Sequence, residues 1–284
     1  MATLSDILET TELQQVATGF VFTEGPLWHP DGFFYFVDVR ASVLYRLTLG
    51  DKPQVVRKTE GGNGTTFDLQ GRLINCEGDG RRVTRTALDG TVTTLIDRFE
   101  GKRLNRPNDV ICAADGALLF TDPSLRVPLA EREVEHAAVY RIAPDGVVTM
   151  VAPFEYPNGL ALSPDERTLY VANTRWTKYI HAIELDSAGS MVRRRIFADM
   201  SSDGTNGVPD GMKVDAAGRV FCTGTGGVWV FAPDGTRIGI IATPEVCANV
   251  AFGGPDLRTL LLTASTSVYT LRVKTPGLPH PWRS

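Results

Sequence analysis

The chain has 284 residues, 43% of them hydrophobic and 22% charged, which is enough apolar side chain for a sizeable core and too little charge for a disordered polymer. The 29 Lys and Arg nearly balance the 33 Asp and Glu, giving a formal charge of −4, and no basic stripe of the kind that phosphate backbones require is present. Nucleic acid is therefore not an expected partner, and no apolar run approaches the roughly 20 residues that span a bilayer.

In chain order, residues 5–9 carry the one short helical pattern, and residues 12–17 read as a strand. The N-terminal segment lacks the basic start and apolar stretch of a secretory signal. The four cysteines, Cys76, Cys112, Cys222 and Cys247, show no Cys-x-x-Cys spacing and read as buried reduced thiols. A cytoplasmic protein is the expectation.

From there the sequence repeats. A turn feeding a β-rich run recurs six times, at Pro30-Asp31-Gly32, Leu69-Gln70-Gly71, Ala114-Asp115-Gly116, Pro164-Asp165-Glu166, Ala216-Ala217-Gly218 and Pro255-Asp256-Leu257. Taking the third residue of each as equivalent, the intervals are 39, 45, 50, 52 and 39 residues, the spacing of propeller blades. Second runs with period-two alternation follow in every unit, as in Val43-Leu-Tyr-Arg-Leu and Val228-Trp-Val-Phe. Asp89-Gly90, Asp145-Gly146 and Asp234-Gly235 then turn the chain into a further strand. Residues 129–139 follow Pro128 and read as a loop insertion in the third unit. After Val273 the prolines of Thr-Pro-Gly-Leu-Pro-His-Pro-Trp resist pairing, so the last unit lacks an outer strand, and residues 12–17 are expected to supply it. The expectation is an all-β, six-bladed propeller with about four antiparallel strands per blade, residues 1–284 forming one domain whose ring is closed by its N-terminal strand.

Eight residues before each anchor stands an oxygen-bearing side chain: Glu24, Asn63, Asn108, Asn158, Asp210 and Asn249. Repeat symmetry brings equivalent residues to equivalent places, so if the strands they begin are innermost, the six converge on the central channel. Asn and Asp also punctuate turns, which accounts for part of the pattern but not for Glu24. Two carboxylates and four amides in a narrow channel repel and stay underbonded unless water or a cation lies among them. The hard oxygen donors make Ca²⁺ the first choice of divalent cation, with Mg²⁺, Mn²⁺, Zn²⁺ and Fe²⁺ open. His29, His136, His181 and His280 are all off this register and read as surface or packing residues.

The chain resembles the SMP-30/gluconolactonase family of six-bladed propeller hydrolases, also called regucalcin-like. The resemblance rests on Phe22-Thr-Glu-Gly-Pro-Leu-Trp, Leu104-Asn-Arg-Pro-Asn-Asp-Val, Phe120-Thr-Asp-Pro, Tyr156-Pro-Asn-Gly-Leu-Ala-Leu-Ser-Pro-Asp, Val208-Pro-Asp-Gly-Met-Lys-Val-Asp and Cys247-Ala-Asn-Val-Ala-Phe-Gly-Gly. It implies that Glu24, Asn158 and Asp210 bind one divalent cation, that Asn108 is a further ligand or a substrate contact, and that Asp210 is the general base. It also matches Arg106 to a substrate-contacting arginine. Asp122 either faces the same mouth or caps the turn before Pro123. Asn63 is a further candidate for substrate contact, and Asn249 is left open between metal, substrate and water.

The implied chemistry is metal-dependent opening of a small-molecule sugar lactone by water, with Asp210 taking the proton. No Gly-x-Ser-x-Gly elbow is present for a covalent route. The alternatives are a metal-dependent hydrolase of phosphotriesters or non-sugar lactones, and a non-catalytic calcium-binding propeller. Arg106 beside the mixed donors argues against the last. Substrate choice is expected to depend on residues 125–136 and 176–179.

Overall fold

The computed structural model describes residues 2–283 apart from Asp203 and Thr205. Six four-stranded antiparallel sheets form a six-bladed β-propeller. Blade 1 comprises Thr23–His29, Phe33–Asp38, Val43–Leu47 and Gln54–Lys58, and blade 2 comprises Gly62–Phe67, Leu73–Glu77, Arg82–Thr86 and Val92–Ile96. Blade 3 (Val110–Cys112, Leu118–Asp122, Ala137–Ile142, Val148–Phe154) and blade 4 (Pro157–Leu162, Thr168–Asn173, Tyr179–Leu185, Met191–Asp199) follow the same order. So does blade 5 (Met212–Val214, Val220–Gly224, Gly227–Phe231, Arg237–Ala242). Blade 6 takes Cys247–Gly253, Thr259–Ala264 and Ser267–Arg272 from the end of the chain and Gln14–Thr18 from its start. The closing strand pairs Gln14 with Thr270 and Thr18 with Ser267, one residue beyond the expected end at Ala17.

The repeat register holds in the backbone. All six anchors, Gly32, Gly71, Gly116, Glu166, Gly218 and Leu257, have positive φ, from 54° at Leu257 to 96° at Gly32. In each turn the anchor N–H donates to the carbonyl three residues earlier. Glu166 and Leu257 adopt a conformation that favours glycine, which costs on the order of 1 kcal/mol each. Glu166 offsets part of it by accepting the Ala114 N–H of the neighbouring blade at 3.0 Å.

Because each strand alternates its side chains between two faces, every blade presents apolar rows to both neighbours, and the core is divided among the seams. Phe34, Phe36 and Leu47 of blade 1 pack on Leu261 and Val268 of blade 6. Leu119, Val139 and Val151 of blade 3 pack on Leu160, Leu169 and Ile183 of blade 4. The four cysteines are buried and free.

Outside the sheets, the helix is the single turn Leu4–Ile7, displaced by one residue from the expected start, because Thr3 caps it through Asp6. The insertion in blade 3 contains a short 3₁₀ turn, Leu129–Glu131, before the third strand begins at Ala137. No helix among the described residues is long and apolar enough to cross a membrane.

The C-terminal segment crosses one end of the channel. Gly277 bridges to Asp215 of blade 5 and donates to Leu257 O of blade 6, while His280 reaches Thr66 Oγ1 of blade 2 at 3.1 Å. Trp282 packs on Phe67 and His29 in the seam between blades 1 and 2. Beneath this strap lies a chamber of about 370 Å³, lined by Leu27, Trp28, Val110, Val214, Phe252 and Leu278 among others.

Candidate functional site

The opposite end of the channel holds the polar register. Glu24, Asn63, Asn158 and Asn249 lie within the first strands of blades 1, 2, 4 and 6, while Asn108 and Asp210 stand two residues before those of blades 3 and 5. In blades 1, 2, 4 and 6 the pairing register shifts at these residues. A bulge bends the strand and re-aims the side chain, which here turns it into the channel.

Four register residues are followed by glycine, and the reason is the next blade. A Cβ on Gly159 would fall 2.2 Å from Asp210 O, and one on Gly25 would fall 2.1 Å from Asn63 O. The inner strands approach so closely that their backbones hydrogen-bond across the seam, as in Gly64 N to Asn108 O at 2.7 Å and Gly211 N to Ala248 O at 2.8 Å. That contact fixes the radius of the ring.

The structure brings Glu24, Asn158, Asp210 and Asn249 together. Glu24 is 2% exposed; its Oε2 accepts Gly25 N at 2.8 Å and Asn249 Nδ2 at 2.9 Å. Burial, and next the negative charge of Asp109, push the Glu24 carboxyl up to about 7. Asp210 is half-buried, and the nearby Asn158 side chain favours its charged form. Burial, then Glu24 and Asp109, hold its proton affinity well above the carboxylate range. Asn158 Nδ2 donates to Thr174 Oγ1 at 2.9 Å, and Thr174 Oγ1 donates to Pro209 O at 2.7 Å, tying blade 4 to the segment that carries Asp210.

Asn63 and Asn108 are half-buried, and neither side chain makes a hydrogen bond among the described residues. Arg106 lies two residues from Asn108 and pairs with Asp79 at 2.5 Å, so its guanidinium leans over the turn between the second and third strands of blade 2. Asp122 is not at the mouth: it is fully buried, its Oδ2 accepts the Asn105 N–H at 2.8 Å, and burial pushes it up to about 7. It pins the backbone that carries Arg106.

Three charged residues escape the sequence register. Asp109, 3% exposed, donates no side chain to the surface; its Oδ1 accepts Val110 N at 3.0 Å, and burial raises its proton affinity. It occupies the slot that is glycine after Glu24, Asn63, Asn158 and Asp210, and that break in pattern was its signal. Lys213 is the cation whose charge partly offsets Glu24 and Asp109. Arg126, in the blade 3 insertion, acts on Asp210 in the same sense, and nothing in the repeat points to it.

Among the described residues, no three His, Cys, Asp or Glu side chains are arranged to hold a metal by themselves. A cation here would be held by two carboxylates, Glu24 and Asp210, together with amide oxygens. The donor set fits one: two buried acids repel each other, and the Asn158 carbonyl oxygen accepts no hydrogen bond among the described residues.

The model of the SMP-30/gluconolactonase/LRE-like region matches residues 22–266. A gluconolactonase of Zymomonas mobilis is 30% identical over 296 residues, covering 94% of this chain and 83% of that protein. A pentonolactonase of Haloferax volcanii is 32% identical over 271 residues, covering 90% of this chain and 85% of that protein. The solved structure of a gluconolactonase from Xanthomonas campestris superposes with a TM-score of 0.88 at 34% identity, covering 95% of this chain and 92% of that one.

Proposed function

Because the chain belongs to the SMP-30/gluconolactonase/LRE-like family, we propose that it is a lactonase that opens a sugar lactone with the help of one divalent cation, Ca²⁺ being the first choice. The observation that carries the reading is the pair of acids Glu24 and Asp210, far apart in sequence, whose charges repel at one end of the channel beside neutral amides. Glu24, Asp210 and Asn158 would hold the cation, with Asn108 beside them. When bound, a divalent cation supplies polarisation of the lactone carbonyl and a more acidic water.

The chain's own residues supply the rest. Asp210, placed beside Asn158 and Glu24 at the channel end, takes the proton of the attacking water. The new C–O bond forms first at the carbonyl carbon; the ring C–O bond then breaks, and the ring oxygen leaves as a hydroxyl with the proton that Asp210 returns. The Asn108 amide can donate to the carbonyl oxygen as it gains charge, a contribution of about 3 kcal/mol in comparable sites. Arg106, fixed by Asp79 and by the backbone that Asp122 pins, orients substrate hydroxyls at the mouth.

The test is hydrolysis of gluconolactone and a panel of aldonolactones, followed by proton release. Opening above the spontaneous rate, lost on chelation and restored by one divalent cation, is expected. A rate untouched by the chelator, or no turnover on any lactone, overturns the reading.

A further inference from the structure

Asn249 shares the register of the candidate cation ligands, yet its amide faces the wrong way to join them. Its Oδ1 accepts the Val250 N–H at 2.9 Å. Its Nδ2 donates to Glu24 Oε2 at 2.9 Å and, at a longer 3.4 Å, to Asp109 Oδ2. Carboxylate oxygens lie on one side and a backbone N–H on the other, so the orientation is dictated by chemistry: the reverse would set an amide oxygen against two acids. The side chain is 2% exposed and cannot swing out. Across the seam, a Cβ on Gly211 would fall 2.0 to 2.4 Å from the Asn249 amide atoms, so the neighbouring blade leaves room for that amide and no more. On Glu24, Oε2 is held from two sides by Asn249 and Gly25, while Oε1 accepts no hydrogen bond among the described residues.

Resting on the cation reading above, we propose that Asn249 is a positioning residue: its amide hydrogens, anchored against Asp109, hold Glu24 so that Oε1 is presented to the cation, and Asn249 is not itself a ligand. Its influence on cation binding runs through Glu24, in the way that groups behind a ligand set its direction.

Calorimetric titration of the purified protein with Ca²⁺, Mg²⁺, Mn²⁺ and Zn²⁺ tests this. For the cation that binds most tightly, Asn249→Ala should weaken affinity about tenfold or more in a protein that still melts cooperatively. In a Glu24→Gln background the same substitution should cost less than about twofold, because the residue it acts through has already been altered. Should the alanine variant fail to fold, Gly211→Ala displaces the Asn249 amide without removing any donor, and it should weaken binding in the same direction. Unchanged affinity in Asn249→Ala, or an equal loss with and without Glu24, overturns the proposal. A wild-type protein that takes up none of the four cations overturns the cation reading as well, so the two failures are distinguishable.

Discussion

The two ends of the channel are built from the same six inner strands and have opposite chemistry. At one end the strands start with acids and amides that meet across blade seams, with Glu24, Asp109 and Asp210 repelling one another. At the other end, two to four residues beyond the polar register along the same chain segments, Leu27, Val110, Val214 and Phe252 line an apolar chamber that the C-terminal strap covers. The repeat supplies the scaffold equally to both. One end gives up stability by holding buried like charges, and the other recovers some by packing His280 and Trp282 onto the blades. Substitutions at the two ends should therefore separate into losses of activity and losses of stability.

Asp210→Asn should show this most strongly, lowering kcat about 10²- to 10⁴-fold by removing the proposed base. Its melting temperature should hold or rise, since a carboxylate repelled by Glu24 and Asp109 is gone. A variant that keeps a tenth of wild-type turnover would break the assignment. At the far end, burial pushes His280 down to about 4, against 6.5 for the free side chain. Between those values only the unfolded chain takes the proton, so this contribution is full above about pH 6.5 and is lost as the pH falls toward 4, by at most about 3 kcal/mol. Urea titrations across that window should give a shallower pH slope for His280→Gln, with a remainder from His181, which burial also pushes down to about 4. Trp282→Ala should cost about 2 kcal/mol in the same assay, less than a fully enclosed aromatic because Trp282 is half-buried, and should leave kcat unchanged. Smallest is Arg106→Ala, for which steady-state kinetics should show a drop of about tenfold in kcat/KM, carried by KM, as for one lost charged hydrogen bond.

The blades were legible because each carries its own turn, and the left-handed anchors at Glu166 and Leu257 show that the sequence register held even where glycine is missing. The register of Glu24, Asn158, Asp210 and Asn249 was legible for the same reason, since equivalent positions repeat. What a repeat cannot reveal is what a residue meets in the next blade. Asn249 and Glu24 are 225 positions apart, and the direction of that amide depends on Asp109, which breaks the repeat rather than obeying it. For Asp122 the sequence leaves two places open, the mouth and the turn before Pro123, and the structure takes neither: its Oδ2 accepts the Asn105 N–H beneath the surface. The prolines of the strap do keep it out of the last sheet, as its sequence indicates, while its packing across the channel depends on Trp282 and His280 meeting Phe67 and Thr66, which no local pattern announces.

The last sheet joins residues from both extremities, with Gln15 Nε2 reaching Ser267 Oγ across 252 positions and Lys274 N–H bonding Ile7 O. During synthesis the segment Gln14–Thr18 emerges early and has no edge to join until Ser267–Arg272 leaves the ribosome. Five sheets can complete themselves as they are made, but the circle is sealed only once Ser267–Arg272 has been made, and until then the nascent chain carries Gln14–Thr18 as an unpaired strand.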